Sequence, residues 1–169
     1  MKLTEYFLGE LDRESNRTRE VLKQVPPDQY EFKPHEKSMK FGYLADMVAI
    51  IPTWIAMQVT KDELDVAPKD GKKMLGEPKT TSAMLVEALD ASLVTARAAL
   101  AATNDEHLGT PWQLKAGGKV VQEAPRYTMI QDTFNHWAHH RGQMTVYLRL
   151  MGAKVAATYG PSADEQAFR

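Results

Sequence analysis

Apolar residues recur at helical spacing in four separate stretches of the chain. These stretches cover residues 2–25, 39–60, about 82–103 and 125–152. In each of them the apolar side chains fall on one stripe at about 100° per residue, which is the pattern of an amphipathic helix with one buried face. The sequence therefore predicts four helices that pack their apolar stripes against one another.

Residues near the ends of these stretches are suited to begin or bend a helix. Ser38 is a suitable N-cap for the second helix, and Thr80, Thr81 or Ser82 can cap the third, because a hydroxyl oxygen accepts a hydrogen bond from a first-turn amide. Pro52 lies inside the second stretch and has no amide hydrogen to donate. We therefore expect a kink in the second helix at this proline.

The connections between the helices are long, and one of them contains apolar residues on both sides of a glycine pair. Residues 26–37 hold three prolines and residues 61–79 are polar, so both are predicted to be loops. Residues 104–126 contain Gly117–Gly118 between short apolar segments, which can form a short β-hairpin before the last helix. The predicted fold is all-α: one four-helix-bundle domain over residues 1–169 with long crossover loops.

Composition and charge narrow the classes of function. The formal net charge is −1, with 21 basic and 22 acidic residues, which argues against a nucleic-acid surface or a polybasic membrane anchor. The chain has no cysteine, so disulfides, thiolate metal sites and a cysteine nucleophile are excluded. Residues 1–25 lack the apolar segment of a secretory signal, and residues 44–57 are too short for a membrane span. We expect a cytoplasmic protein with no nucleic-acid or membrane partner.

The last predicted helix carries three of the five histidines. His136 and His140 are four residues apart, so they lie one turn apart on the same flank of the helix. This spacing allows two imidazoles to bind one metal ion. His139 projects away from the apolar stripe and is predicted to lie on the surface or at a dimer contact. His35 and His107 fall in loops, where we expect them to be solvated.

An arginine falls on the apolar stripe of the same helix. Arg141 lies between Trp137 and Met144, and an unpaired guanidinium would be costly to bury there. We expect Arg141 to form a buried ion pair with a carboxylate or to bond helix carbonyls. The alternative is that it binds a substrate carboxylate. Tyr147 is predicted to be a core residue, although its position also allows it to line a pocket beside the histidines.

Several strings of the sequence resemble one protein family. The string NHWAHHRGQMTVYLRLMG at 135–152, followed by YGPS at 159–162, resembles the C-terminal signature of DinB-family (DinB/YfiT-like) four-helix bundles. The second-helix string LADMVAIIPTW at 44–54 and FKP at 32–34 also resemble the family. The resemblance implies a cytoplasmic bundle, commonly a homodimer, with zinc or nickel bound near one end.

The resemblance also implies a set of metal ligands, and this chain departs from it. Family members hold the metal through one histidine of the second helix and two of the fourth, and the latter two correspond to His136 and His140. The second-helix position is Met47 here. A thioether is a poor zinc ligand beside two imidazoles, although it suits copper(I). Asp46 points about 100° away from Met47 round the helix. Carboxylates elsewhere could complete the site: Glu87, Asp90, Asp132, Asp164 and Glu165.

Two hypotheses of function follow. In the first, the resemblance implies a metal-dependent hydrolase or a thiol-dependent transferase, with His136 and His140 holding the metal and a small molecule or thiol as substrate. No catalytic residue can be assigned for such an enzyme, because no nucleophile or independent general base stands out. In the alternative, the protein is a non-catalytic homodimeric bundle whose degenerate metal site, with Met47 as packing, binds a small ligand or a partner.

Overall fold

A computed structural model of the protein describes residues 1–69 and 76–166, which contain six helices and a small three-stranded sheet. The fold was predicted to be all-α, and the described residues are mostly helical with the addition of this small sheet; the hairpin before the last helix is confirmed. The part of the predicted loop 61–79 that falls at 70–75 lies outside the described residues. The helices are α1 (Leu3–Lys23), α2 (Phe41–Ile50), α3 (Pro52–Thr60), α4 (Ser82–Ala101), α5 (Asp105–Leu108) and α6 (Arg126–Leu150). The strands are β1 (Glu63–Asp65), β2 (Pro111–Ala116) and β3 (Lys119–Pro125).

The second predicted helix is divided into α2 and α3. The two helices meet at Ile51, and the chain bends by 46° between them. Pro52 is the first residue of α3, a position where the missing amide hydrogen costs nothing. The kink predicted from this proline is therefore present as a complete break between two helices.

The start of the second helix differs from the prediction. Ser38 is not the N-cap, because α2 begins at Phe41 after Lys40. The first amides of α2 are satisfied by the preceding loop: Phe41 N–H donates to the carbonyl of Phe32 at 2.9 Å, and Gly42 N–H donates to that of Tyr30 at 2.8 Å. A Cβ atom at Gly42 would lie 2.9 Å from Tyr30 Cβ, so this close approach requires glycine. These tertiary bonds replace the side-chain cap.

The start of α4 follows the sequence more closely. Of the three candidate caps it is Thr81 whose hydroxyl accepts a hydrogen bond, from Met84 N–H at 3.1 Å. A threonine at this position satisfies one of the amides that an α-helix leaves free in its first turn.

The sheet has the order β1–β2–β3. Strand β2 pairs antiparallel with β3 through a turn at Gly117 and Gly118, whose φ values are +60° and +81°. Strand β1 pairs parallel with β2, in a segment that the sequence predicted to be loop only. Asp65, the last residue of β1, accepts hydrogen bonds from the Gly117 and Gly118 amides at 3.0 and 2.7 Å. This carboxylate links β1 to the hairpin turn.

The core lies between the long helices. Helix α4 packs against α1, α2 and α3, and α6 packs against the same three helices from another side. Trp137 of α6 is fully buried, and its indole N–H donates to the carbonyl of Val48 at 2.8 Å. Tyr147 is a core residue, as predicted: its ring stacks on Phe41 with 6.1 Å between centroids, and its hydroxyl donates to the Met39 carbonyl at 3.1 Å.

A buried arginine joins the sheet end of the molecule to the helices. Arg126, the first residue of α6, is 3% exposed. Its guanidinium donates to the Gln58 carbonyl at 2.6 Å, to the Thr110 hydroxyl at 2.9 Å and to the Asp62 carboxylate at 2.6 Å. Because it contacts the end of α3 and the approaches to β1 and β2, this one side chain fixes the sheet relative to α3 and α6.

Within the described residues, no single helix is long and apolar enough to cross a membrane. Helices α2 and α3 reach that length and hydropathy only when they are taken together, and the chain bends by 46° at the break between them.

Candidate functional site

His136 and His140 lie side by side on α6. Their ring centroids are 4.4 Å apart and their planes are inclined at 71°. Residues four apart on a helix share one face, so an unbroken α6 is sufficient to bring the two rings together. The structure thus places both predicted residues in one cluster, and their role as metal ligands stays a prediction.

His140 is oriented by a neighbour on its own helix. The ring is buried, and its Nδ1 atom lies 2.7 Å from the amide oxygen of Gln143. An amide oxygen only accepts hydrogen bonds, so the proton is on Nδ1 and the lone pair is on Nε2. The orientation of one ring nitrogen by a hydrogen bond to the other is a common feature of histidines that bind a metal or accept a proton.

Both imidazoles are held in the neutral form more strongly than a histidine in water. His136 is exposed on one side, and partial desolvation on the other lowers its pKa, as do the nearby His140 and His139 rings. Burial also lowers the pKa of His140, against the opposing effect of the Gln143 hydrogen bond. A neutral imidazole can offer a nitrogen lone pair to a metal or to a hydrogen-bond donor.

The other three histidines lie outside this pair. His139 is exposed, as predicted, with its ring 5.1 Å from that of His140. His35 is exposed in the loop before α2. The expectation that His107 is solvated is wrong: it lies in α5, is half-buried, and its Nε2 atom is 2.8 Å from the Val59 carbonyl oxygen. A loop position in the sequence did not reveal this contact with α3.

The third ligand position offers no replacement for a histidine. Met47 is 8% exposed on α2 and belongs to the hydrophobic core. The next residue, Val48, bonds Trp137 of α6, so this part of α2 faces the histidine-bearing helix. Met47 is therefore a core residue on the part of α2 whose backbone contacts α6 next to the pair.

The five carboxylates considered from the sequence do not complete the site either. Asp90 forms an ion pair with Arg19, and Asp164 forms one with Arg149. Asp132 is nearest in sequence, one turn before His136. Across residues 1–69 and 76–166, no group of three or more histidine, aspartate or glutamate side chains is placed to hold a metal ion. The described residues therefore do not fit a metal site with three protein ligands.

A cavity of about 250 Å³ lies beside His136, and we call it the indole cavity. It is a half-open recess lined by α3, by the sheet and by α6. The Trp54 ring is 5.2 Å from the His136 ring, and Trp112 of β2 is 1% exposed. Its lining residues are Trp54, Gln58, Leu64, Val66, Trp112, Leu114, Gln122, Met129, Asp132, Thr133 and His136. The wall is mostly apolar, with a few polar groups from α3, β3 and α6.

Polar groups in this wall differ in whether they are already paired. Gln58 bonds the Thr133 hydroxyl at 2.8 Å, and Gln122 donates to the Asp132 carboxylate at 3.2 Å. The indole N–H groups of Trp54 and Trp112 are buried and have no hydrogen-bond partner among the described residues. A buried donor without an acceptor costs about 1–3 kcal/mol, and both indole nitrogens are shielded from solvent by the surrounding side chains.

A second recess, which we call the Asp46 groove, also reaches Trp54. It is lined by Tyr43, Asp46 and Met47 of α2 and by loop residues before and after the helices, including Tyr30 and Lys79. The sequence assigned Asp46 no role because it points away from Met47 on a helical wheel. The structure shows both side chains in the wall of one groove, because the groove extends round the side of α2.

A helical core with a short hairpin and a histidine pair on the last helix defines the class of protein. A model of the DinB family matches residues 1–167. The chain belongs to the DinB family, as its sequence motifs predicted.

Solved structures and one curated protein are similar to this chain. A DinB-like protein from Bacillus cereus ATCC 10987 has a TM-score of 0.70 at 20% identity, covering 92% of this chain and 97% of that one. The DinB-like protein YjoA of Bacillus subtilis has a TM-score of 0.68 at 19% identity, covering 91% of this chain and 97% of that one. A protein from Exiguobacterium sibiricum that is described as a member of the DinB family has a TM-score of 0.68 at 15% identity, covering 93% of this chain and 97% of that one. These three show a shared fold.

The curated relative is the uncharacterised protein YrdA of Bacillus subtilis. It is 41% identical to this chain over 48 residues, which are 28% of this chain and 29% of that protein. The matched segment is therefore less than a third of the relative's length.

Proposed function

We propose that this DinB-family protein binds a small molecule in the indole cavity beside His136. The observation that supports the proposal is the cavity itself, about 250 Å³ in volume and walled by Trp54 and Trp112. Small-molecule sites are mostly apolar recesses with a few polar groups, and volumes of about 300–1,000 Å³ suit drug-sized ligands. A ligand of one or two rings is the appropriate size for this smaller cavity.

The polar groups of the wall narrow the ligand further. The aromatic side chains of Trp54 and Trp112, together with hydrogen-bonding groups from Gln58, Thr133 and His136, favour an aromatic ligand that carries a hydrogen-bond acceptor. His136 carries a lowered pKa, so its neutral ring can accept or donate a hydrogen bond at neutral pH. The expected ligand is an aromatic compound with at least one acceptor, and no chemical step is required of the protein.

The cavity can be tested through the three tryptophan indole signals of an NMR spectrum. Aromatic fragments that carry one carbonyl or ether oxygen should shift the indole signals of Trp54 and Trp112. The signal of Trp137 should stay in place, because its N–H bonds the Val48 carbonyl and it does not line the cavity. It is an internal control within the same spectrum.

A cavity-filling variant provides the second arm of the test. Leu64→Phe places extra volume in the wall and should abolish the fragment shifts, whereas Val94→Phe, at a residue 69% exposed on α4, should leave them unchanged. Fragment shifts that spread equally over all three indoles, or that persist in Leu64→Phe, would count against the proposal.

A metal-dependent activity is the second candidate, either a hydrolase or a thiol-dependent transferase. The observation that favours it is the orientation of His140 by Gln143, which leaves Nε2 available beside His136. Zinc or nickel bound there would supply a Lewis acid. The two imidazoles would be its only histidine ligands, because the third position is Met47, and we derive no reaction step from an incomplete ligand set.

We also infer that α1, the α2–α3 pair, α4 and α6 correspond to the four-helix bundle of the family. Their buried faces contribute to one hydrophobic cluster, which supports this assignment.

A homodimer is proposed as well, through the outer face of α6, where Val146 and Leu150 are 58% and 60% exposed. Light scattering should show a dimer that Val146→Asp dissociates and that Val94→Asp on α4 does not.

A further inference from the structure

Asp46 is a buried carboxylate that has no ion-pair partner among the described residues. It is 6% exposed on α2, and one of its oxygens accepts a hydrogen bond from the Lys79 backbone amide at 3.0 Å. Among the described residues, no lysine, arginine or histidine lies within ion-pair distance of it. Burial of a carboxylate with so little compensation is costly, and a counter-charge would reduce the cost.

The carboxylate lies in a groove with aromatic walls. Tyr30, Tyr43 and Trp54 line the Asp46 groove, with Tyr43 52% exposed at the surface and Trp54 partly buried. The hydroxyl of Tyr30 is buried and has no hydrogen-bond partner among the described residues. Aromatic faces around a carboxylate are the surroundings in which organic cations are bound, through ion pairing and cation–π attraction together.

Among the described residues that line the groove, the carboxylates of Glu31, Asp46 and Glu77 face two lysines, Lys40 and Lys79. Burial raises the pKa of Tyr30, and the charges of Asp28 and Asp46 raise it further, which is the effect of a negative local potential. At the rim, Lys40 is already paired with Glu31 at 2.6 Å. Lys40 therefore competes little for Asp46. Lys79, whose charge also acts on Asp46, lines the groove but forms no ion pair with it.

We propose that the Asp46 groove binds an organic ammonium ion, a primary or quaternary amine attached to a small apolar body. The ammonium pairs with the Asp46 carboxylate, and its apolar body rests against Trp54 and Tyr43. Tyr30 forms part of the same aromatic wall. This site is separate from the indole cavity, since the two share only Trp54 and Val66 among their lining residues.

The charge of the probe provides the first test. Benzylamine, benzyl alcohol and benzoate have similar size and differ in charge, and tetramethylammonium tests the cation without the ring. Titration calorimetry of the wild-type protein should show binding of both cations, weaker binding of benzyl alcohol and none of benzoate. Absence of saturable binding of both cations, equal binding of benzyl alcohol, or preference for benzoate would overturn the proposal.

A matched pair of variants provides the second test. Asp46→Asn keeps the shape and the oxygen that accepts from Lys79, and removes the charge. This substitution should weaken the binding of benzylamine by a factor of at least about ten. Glu31→Gln removes a carboxylate from the rim of the same groove and should change the affinity less than about twofold. Circular dichroism confirms that both variants are folded, and unchanged benzylamine affinity in folded Asp46→Asn would refute the assignment.

Discussion

Arg141 of α6 and Glu14 of α1 form an ion pair in which both side chains are buried, with 1% and 7% of the side chains exposed. The guanidinium also donates to the Thr18 hydroxyl at 2.9 Å and to the hydroxyl of Tyr159, which in turn donates to Glu14 at 2.7 Å. The predicted structural role of Arg141 is confirmed. Because these partners occupy the guanidinium, it does not act as a clamp for a substrate carboxylate.

Removal of this arginine should destabilise the protein strongly. Arg141→Met leaves the Glu14 carboxylate buried without its partner, and breaking a buried pair in this way costs about 3–5 kcal/mol. Denaturant unfolding should show that loss in the free energy of unfolding. Arg149→Met is the control, because Arg149 is 49% exposed where it pairs with Asp164 and should cost less than about 1 kcal/mol. Equal losses in the two variants would contradict the assigned role of the buried network.

The same network predicts how stability depends on acid. Burial alone would raise the pKa of Glu14, but the hydrogen bonds from Tyr159 and Arg141 and the charge of Arg141 outweigh it and lower the pKa. A carboxyl whose pKa is lower in the folded state stabilises the protein above its unfolded pKa, and this stabilisation is lost as the pH falls through the folded pKa. The free energy of unfolding should therefore decrease as the pH falls below about 4.5.

A substitution separates this effect from general acid unfolding. Glu14→Gln should be less stable at neutral pH and should lose less further stability between about pH 5 and pH 3, because the titrating group is gone. Glu20→Gln, at a residue 51% exposed where it pairs with Lys23, should retain the acid dependence of the natural protein. An acid dependence of Glu14→Gln equal to that of the natural protein would show that Glu14 does not cause it.

Substitution by alanine should change the stability in opposite directions at two glycines, one inside the last helix and one just after its end. Gly152 has φ of +75°, and the Gly152 and Ala153 amides bond carbonyls of the last turn at 3.1 and 3.0 Å. Gly152→Ala should cost about 1 kcal/mol, since alanine is strained in this conformation. Gly142 lies inside α6, and a Cβ atom added there would meet open space, so Gly142→Ala should stabilise by up to about 1 kcal/mol. Thermal unfolding measures both, and a loss for Gly142→Ala would indicate a contact with a second copy.

Local sequence was sufficient to predict the long helices and the hairpin. The caps and breakers that delimit them, such as Thr81, Pro52 and Gly152, act through bonds a few residues away. Strand β1 was missed because it is three residues long and is held by pairing with β2, which lies about 50 residues later. The start of α2 was misplaced at Ser38 for a similar reason, since loop carbonyls satisfy its first amides. Contacts distant in sequence leave no local pattern.

The candidate site was predictable to the same extent. The pairing of His136 and His140 follows from helical spacing alone. The contact of Trp54 with His136, and the position of Trp112 in the cavity wall, depend on how α3 and the sheet pack on α6. A helical wheel also could not show that Asp46 is buried in a groove, because the loop that covers it comes from more than 30 residues later.

Restoration of a histidine at position 47 should create the metal site that the chain lacks. Met47 lies on the part of α2 that contacts α6, so Met47→His adds a third imidazole near His136 and His140. Three histidine ligands suffice for a zinc site, and we expect about one zinc or nickel per chain after purification without an affinity tag. Met57→His, a partly buried control on α3, should retain no metal. Elemental analysis makes the measurement, and the double variant Met47→His with His140→Ala should lose the metal again.

A full equivalent of metal in the natural protein, lost when His136 and His140 are changed to alanine, would instead favour the metal-dependent candidate. Absence of metal in folded Met47→His would show that residue 47 is not placed to bind beside the pair.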